Sequence, residues 1–286
     1  MAIATSAVRL LINGTSHIAP GLAGRQAFFF FTLPGRRVEV RPAEQDTHRR
    51  AVTEQLTVNG KTVVAYRWGT GERPVLLLHG WRSRASRFSE FIDALEAVGL
   101  SPISFDAPGN GDSSGRTTTI MEYQEIIAQL QFRYGEFESV IAHSFGVLSA
   151  FSALRNGLQA RTFVAIAGPS NFGFLVDGFC YQLGLNPRVK ASLRRRLERK
   201  LFPEIGDIWS TFDARGFAPE ISIPILLIHD RQDARVPFAQ GELLKTAYGS
   251  QLEFVPTTGL GHGLLAVPAV VQNAIAFVTE PDRRAA

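Results

Sequence analysis

Three short strings carry the reactive side chains of this chain: Ala142-His143-Ser144-Phe145-Gly146, Asp230-Arg231-Gln232-Asp233 and Gly259-Leu260-Gly261-His262-Gly263. Each sits at or just past the end of a short apolar run, where a sheet strand gives way to a loop. Together they offer a hydroxyl, a carboxylate and an imidazole, the groups needed for acyl transfer through a covalent intermediate. Ser144 is the candidate nucleophile. Its small neighbours Ala142 and Gly146 suit a strand that turns sharply into a helix, and the amide of Phe145 would face a developing oxyanion at that helix start. Taken alone, such a string also fits a serine that merely begins a helix; the two other strings favour the nucleophile.

His262 is the candidate base, because it lies in a Gly-flanked loop between the last strand and the closing helix. Of the other histidines, His17 and His48 fall in an irregular N-terminal arm, His79 and His143 in strand-end strings, and His229 at the end of a buried-type strand. Two carboxylates follow the run Ile225–Ile228. Asp233 precedes Ala-Arg-Val-Pro and a helix, within reach of an imidazole, whereas Asp230 comes so early that it suits shaping the turn. Asp233 is therefore preferred as the acid that fixes the imidazole tautomer. His79-Gly80-Trp81 ends the first buried-type strand. Gly80 lets backbone approach a substrate, and the amide of Trp81 is the candidate second oxyanion donor.

The elements that must position these groups can be read from residue 54 onward. Leu56–Val58 and Val63–Tyr66 flank Asn59-Gly60, a strong hairpin signal. Strands are predicted over 75–78, 102–105, 139–142, 162–167, 225–228 and 252–255, and helices over 86–98, 120–133, 145–154 and 267–278. Alternating strands and helices predict a mainly parallel sheet covered on both faces. Residues 168–221 hold no strand; an aromatic start (Phe172, Phe174, Phe179, Tyr181) and a basic helix-like stretch (187–201) suggest a helical cap or lid with an apolar acyl pocket. The expected organisation is an arm over 1–50, packed on the core or on a partner surface, a core over 51–167 and 222–286, and the insertion at 168–221.

Composition removes several function classes. The 286 residues are 45% hydrophobic and 20% charged, ordinary for a globular protein, with a formal net charge of only +4. The basic residues are clumped without interleaved aromatics, so no nucleic-acid partner is expected. One cysteine, Cys180, excludes an internal disulfide or a Cys-based metal cluster within the chain and fits a reducing, cytoplasmic setting. No stretch reaches the roughly 18 apolar residues of a membrane span, and no cleaved signal is expected. Phe28–Phe31 with Arg36 and Arg37 offer a surface for peripheral membrane or homo-oligomer contact, against the plainer reading of an arm packed on its own domain.

These residues resemble the α/β-hydrolase family over about positions 55 to 280. His79-Gly80-Trp81 resembles its oxyanion loop, Asp106-Ala107-Pro108-Gly109-Asn110-Gly111-Asp112-Ser113 its Asp-x-Pro-Gly-x-Gly-x-Ser turn, and Ser144, Asp233 and His262 its triad. Three positions depart from the pattern: Ala142 for Gly, Asp230 where Gly is frequent, and Asn110 where a larger or basic residue is frequent. The resemblance implies the α/β-hydrolase fold and a serine hydrolase for a small-molecule carboxylic ester, with no cofactor and no metal. Thioesters, lactones and carbon–carbon bonds fall to the same triad, and a non-catalytic ligand-binding member of the fold is the rival from another class.

Overall fold

Asn59 and Gly60 take φ of 48° and 70°, the paired left-handed conformations of a tight two-residue hairpin turn. The structure is a computed structural model and describes residues 2–280. Met1 and positions 281–286, counted in the arm and the core from sequence, lie outside the described residues. The hairpin joins β1 (Val52–Val58) to β2 (Lys61–Arg67) antiparallel, with Val58 opposite Lys61. Six further strands follow: β3 (Pro74–Leu78), β4 (Ser101–Phe105), β5 (Ser139–His143), β6 (Phe163–Ile166), β7 (Ile225–Asp230) and β8 (Leu252–Thr257). Among the described residues they complete one sheet in the order β1-β2-β4-β3-β5-β6-β7-β8. β2 runs antiparallel to β4, and the ladder is parallel from β4 to β8.

Every residue of β3, β4, β5, β6 and β7 is buried, which is why these strands read as continuous apolar runs. Alternation still sorts their side chains between the two faces. Val75, Leu77, Ile141, Val164, Ile166, Leu226 and Ile228 join one cluster with Phe91, Ile92 and Leu95 of the helix Ser89–Ala97 and Val270, Ala274 and Phe277 of the helix Pro268–Thr279. On the other face Phe163 meets Phe151 of the helix Phe145–Arg155 edge-on, ring centroids 4.9 Å apart. The chain thus has the α/β-hydrolase fold: a mostly parallel sheet with helices on both faces.

Two compact units divide the chain. The larger, Pro34–Ser170 with Ala214–Ala286, holds the whole sheet. The smaller joins Met1–Leu33 to Asn171–Asp213. The stretch 1–50 expected to be an irregular arm holds the helices Ala2–Ile18 and Pro20–Thr32, the second opened by a proline whose missing N–H costs nothing there, and a short helix Gln45–Arg50 in the larger unit. The first two pack with the helices Phe172–Gln182 and Pro187–Arg196. Asn186 caps the last of these through Val189 N–H (3.0 Å) and donates to Ser16 Oγ (2.9 Å). Ser192 Oγ donates to the Pro20 carbonyl (2.7 Å).

Phe172, Phe202 and Phe212 are buried and lie with centroids 4.8 to 6.0 Å apart; Phe31 meets Phe172 and Phe179 edge-on. These rings build the core of the smaller unit, where the sequence pattern suggests Phe172 and Phe179 as part of an acyl pocket. An aromatic run in an insertion looks the same for either use until its partners are known. The basic stretch is partly neutralised within the unit: Lys190 and Arg194 share Asp177, and Arg194 stacks over Trp209 at 3.7 Å.

Gly24 sets the approach of two of these helices, since a Cβ there would overlap Ser192 Oγ and reach its backbone carbonyl carbon at 3.0 Å. Gly24→Ala should lower unfolding free energy by about 1–3 kcal/mol, read by urea denaturation; an unchanged midpoint would mean that the helices part freely.

Candidate active site

Ser144 lies where β5 ends and the helix Phe145–Arg155 begins, at φ 55° and ψ −122°. A non-glycine residue held there stores about 1–3 kcal/mol of backbone strain. The strain is fixed from both sides. Ser144 N–H donates to the Ile166 carbonyl of β6 (2.9 Å), and its own carbonyl accepts from Val147 N–H (2.9 Å). A Cβ on Gly146 would overlap the Leu78 carbonyl, and one on Gly168 would overlap the Val147 side chain, so the tight crossing requires glycine at both positions. Ala142, pairing with Leu78 and Ala165, is buried in the ladder and small enough for the same turn.

Gly80 brings the loop after β3 against the serine: a Cβ there would stand 2.8 Å from Ser144 Cβ and 3.2 Å from the His143 carbonyl. His79 orients this loop. Its Nε2 accepts the Ala107 N–H (3.0 Å), so the proton resides on Nδ1 and is donated to the Gly80 carbonyl (2.7 Å). The C=O and N–H of one trans peptide point in opposite directions. Anchoring the Gly80 carbonyl therefore aims the Trp81 N–H the other way. Phe145 is the first residue of its helix, and its ring meets that of Trp81 edge-on at 5.6 Å. Its N–H is one of the four that a helix start leaves without an intrahelical acceptor.

Asp106 ties this loop to the turn after β4. It is buried and accepts from Ala85 N–H (2.8 Å), Asp112 N–H (2.8 Å) and the Tyr66 hydroxyl (2.9 Å), with Arg84 at 3.3 Å. Gly111 passes so close that any Cβ would overlap the Asp106 carboxylate, and Asn110 is buried with its amide on the Pro108 carbonyl (3.1 Å).

His262 stands between the other two groups. Its Nδ1 lies 2.7 Å from Asp233 Oδ2 and its Nε2 3.0 Å from Ser144 Oγ. Asp233 Oδ1 is held by the amides of Arg235 (2.8 Å) and Val236 (3.0 Å). Burial pushes the Asp233 carboxyl up, but the His262 hydrogen bond and these amides outweigh it and hold the group below the ordinary carboxylate range. Asp230 does not meet the imidazole. It accepts from Gln232 N–H (2.9 Å), Thr257 Oγ1 (2.8 Å), Leu260 N–H (3.1 Å) and the Gly261 amide, bracing the loop that carries His262. Among the described residues no three His, Cys, Asp or Glu side chains are grouped to hold a metal ion.

Residues 75–274 match the model of the alpha/beta hydrolase family. The chain belongs to that family. No curated protein matches it. Solved structures share the fold at low identity. An esterase from Pyrococcus furiosus is 18% identical with a TM-score of 0.64, covering 87% of this chain and 98% of its own. A monoacylglycerol lipase from Paleococcus ferrophilus is 22% identical with a TM-score of 0.59, over 77% and 99%. A thioesterase domain from the curacin biosynthetic pathway is 15% identical with a TM-score of 0.58, over 80% and 99%.

Beside the candidate triad, this α/β hydrolase carries His143, the strand-end imidazole directly before Ser144. His143 Nε2 donates to the His262 backbone carbonyl (2.9 Å), and the two rings lie 4.8 Å apart. Its Nδ1 is buried with no partner, as a bare acceptor nitrogen would be. Burial above all, then the neighbouring His262, pushes His143 down to about 3. The unfolded chain protonates this ring below about pH 6.5, whereas the folded chain resists until about pH 3. The unfolded state thus binds the extra proton, and stability falls as pH is lowered through that window. His143→Gln keeps a donor for the His262 carbonyl and removes the titration. Unfolding free energy, followed by urea denaturation between about pH 6 and pH 4, should then depend on pH less steeply, by up to about 1.4 kcal/mol per pH unit. An unchanged slope would show that His143 is not kept neutral.

Proposed function

We propose that this α/β hydrolase is a serine hydrolase of carboxylic esters. The observation that supports the reading above all others is the single imidazole of His262, bridging a strained serine hydroxyl at 3.0 Å and a buried carboxylate at 2.7 Å. In the first half-reaction Ser144 Oγ attacks the acyl carbon while Nε2 of His262 takes its proton. Asp233 holds Nδ1–H, fixing the tautomer that leaves Nε2 free, and stabilises the imidazolium without taking its proton. The carbonyl oxygen becomes an oxyanion facing the Trp81 and Phe145 amides, the latter at the positive end of its helix. Collapse of the tetrahedral species breaks the bond to the alcohol oxygen, which leaves with the proton from Nε2.

The second half-reaction repeats these moves with water. Nε2 removes a proton from water as its oxygen attacks the acyl-serine, and collapse releases the carboxylic acid and returns the proton to Ser144 Oγ. The esterase and the lipase among the structural relatives accord with an oxygen ester, and the thioesterase domain among them keeps a thioester as the alternative for the same three groups.

Ser144→Ala should reduce p-nitrophenyl ester turnover by roughly 10⁴-fold or more and abolish labelling by a fluorophosphonate probe, with a circular dichroism melt close to that of the parent chain. Turnover that survives this substitution at a comparable rate removes Ser144 from the mechanism.

A further inference from the structure

The first helix carries its apolar stripe on the outside. Ala7, Leu11, Gly14 and Ile18 recur at i, i+4, i+7 and i+11, with Leu10 beside them, so they share one face. All five are exposed, Leu11 at 57%, Leu10 at 68% and Ile18 at 90%. Ile12 and Ser16, the buried residues among the described side chains of this helix, lie on the opposite side. The second helix continues the theme with exposed Leu22 and Phe29, seven residues apart, and exposed Arg25 between them. Large apolar side chains gathered outside in this way mark an interaction surface.

Charge indicates what it meets. Met1–Leu33 and Asn171–Asp213 contain nine Lys and Arg against five Asp and Glu, so the chain's whole formal excess of +4 lies in the smaller unit. The larger unit has twenty-one of each sign and is neutral. A second copy of the chain meeting this unit with its own smaller unit would bring like charge against like. An anionic surface would not. Among the described residues no helix is long and apolar enough to cross a membrane, whereas an exposed apolar stripe on a unit of net positive charge suits a helix lying in the headgroup region.

We infer that the smaller unit docks this protein on anionic lipid bilayers, with Leu10, Leu11, Ile18, Leu22 and Phe29 entering the headgroup boundary. This inference does not rest on the hydrolase reading. The test uses the full chain and co-sedimentation with vesicles of phosphatidylcholine alone or mixed with phosphatidylserine. The expected result is partitioning at least about tenfold stronger on the mixed vesicles, weakened by salt. Leu11→Glu with Ile18→Glu should cut it about tenfold or more and leave the thermal melt in place, because both side chains are exposed. Ser144→Ala should bind vesicles like the parent chain, so that docking and catalysis are read separately. Absence of binding to the anionic vesicles, or equal binding by the double variant, overturns the proposal. So does a lipid-free dimer that the double variant dissociates while the parent ignores vesicles.

Discussion

A serine with φ of 55° can persist only where the structure around it leaves the backbone no easier path. β5 is pinned between β3 and β6, and the helix that follows packs Phe151 onto Phe163, so the chain enters and leaves Ser144 along fixed directions. The clearances then become strict. Gly146 and Gly168 make room for the crossing itself, and Gly80 lets the loop after β3 come within contact of Ser144. The buried parallel strands are therefore what hold the hydroxyl at the sheet edge in a pose an isolated strand–helix turn would relax.

Around that hydroxyl the fold places four imidazoles and gives three of them the same treatment. His79, His143 and His229 are buried, and burial, the largest influence on each, lowers their affinity for a proton. Each donates one N–H to a carbonyl: His79 to Gly80, His143 to His262 and His229 to Val236. A neutral ring with one assigned tautomer is a directional strut, not a charge. His262 differs in what it touches, because both its nitrogens face side chains that can exchange or hold a proton.

Much of this was legible in the sequence because it depends on local pattern. The Asn59-Gly60 turn, the strand runs and the three strings at strand ends all lie within a few residues, and the structure brings Ser144, Asp233 and His262 together as their strings implied. Two parts were illegible for physical reasons. The arm expected to be irregular holds helices over residues 2–32; the first turns an apolar stripe outward and buries Ser16, the reverse of the pattern that announces a surface helix, and the second meets its neighbour through Gly24. The Asp106 hub draws on Tyr66, Arg84, Ala85 and Asp112, a set joined only by the folded chain.

The two carboxylates of the β7 loop differ in how many donors each already holds, and that decides which of them can meet an imidazole. An ionised carboxylate offers about four acceptor directions. Asp230 receives donors from Gln232, Thr257, Leu260 and Gly261, so an imidazole would have to displace one of them. Asp233 receives two backbone amides on Oδ1 and keeps Oδ2 for His262. His229 comes within 3.6 Å of that oxygen, but its Nε2–H is committed to the Val236 carbonyl at 2.8 Å. One aspartate is thus saturated by the loop it braces, and the other retains a lone pair at the position where the imidazole arrives. The departure at residue 230 and the acid at residue 233 are linked: the first holds still the histidine that the second orients.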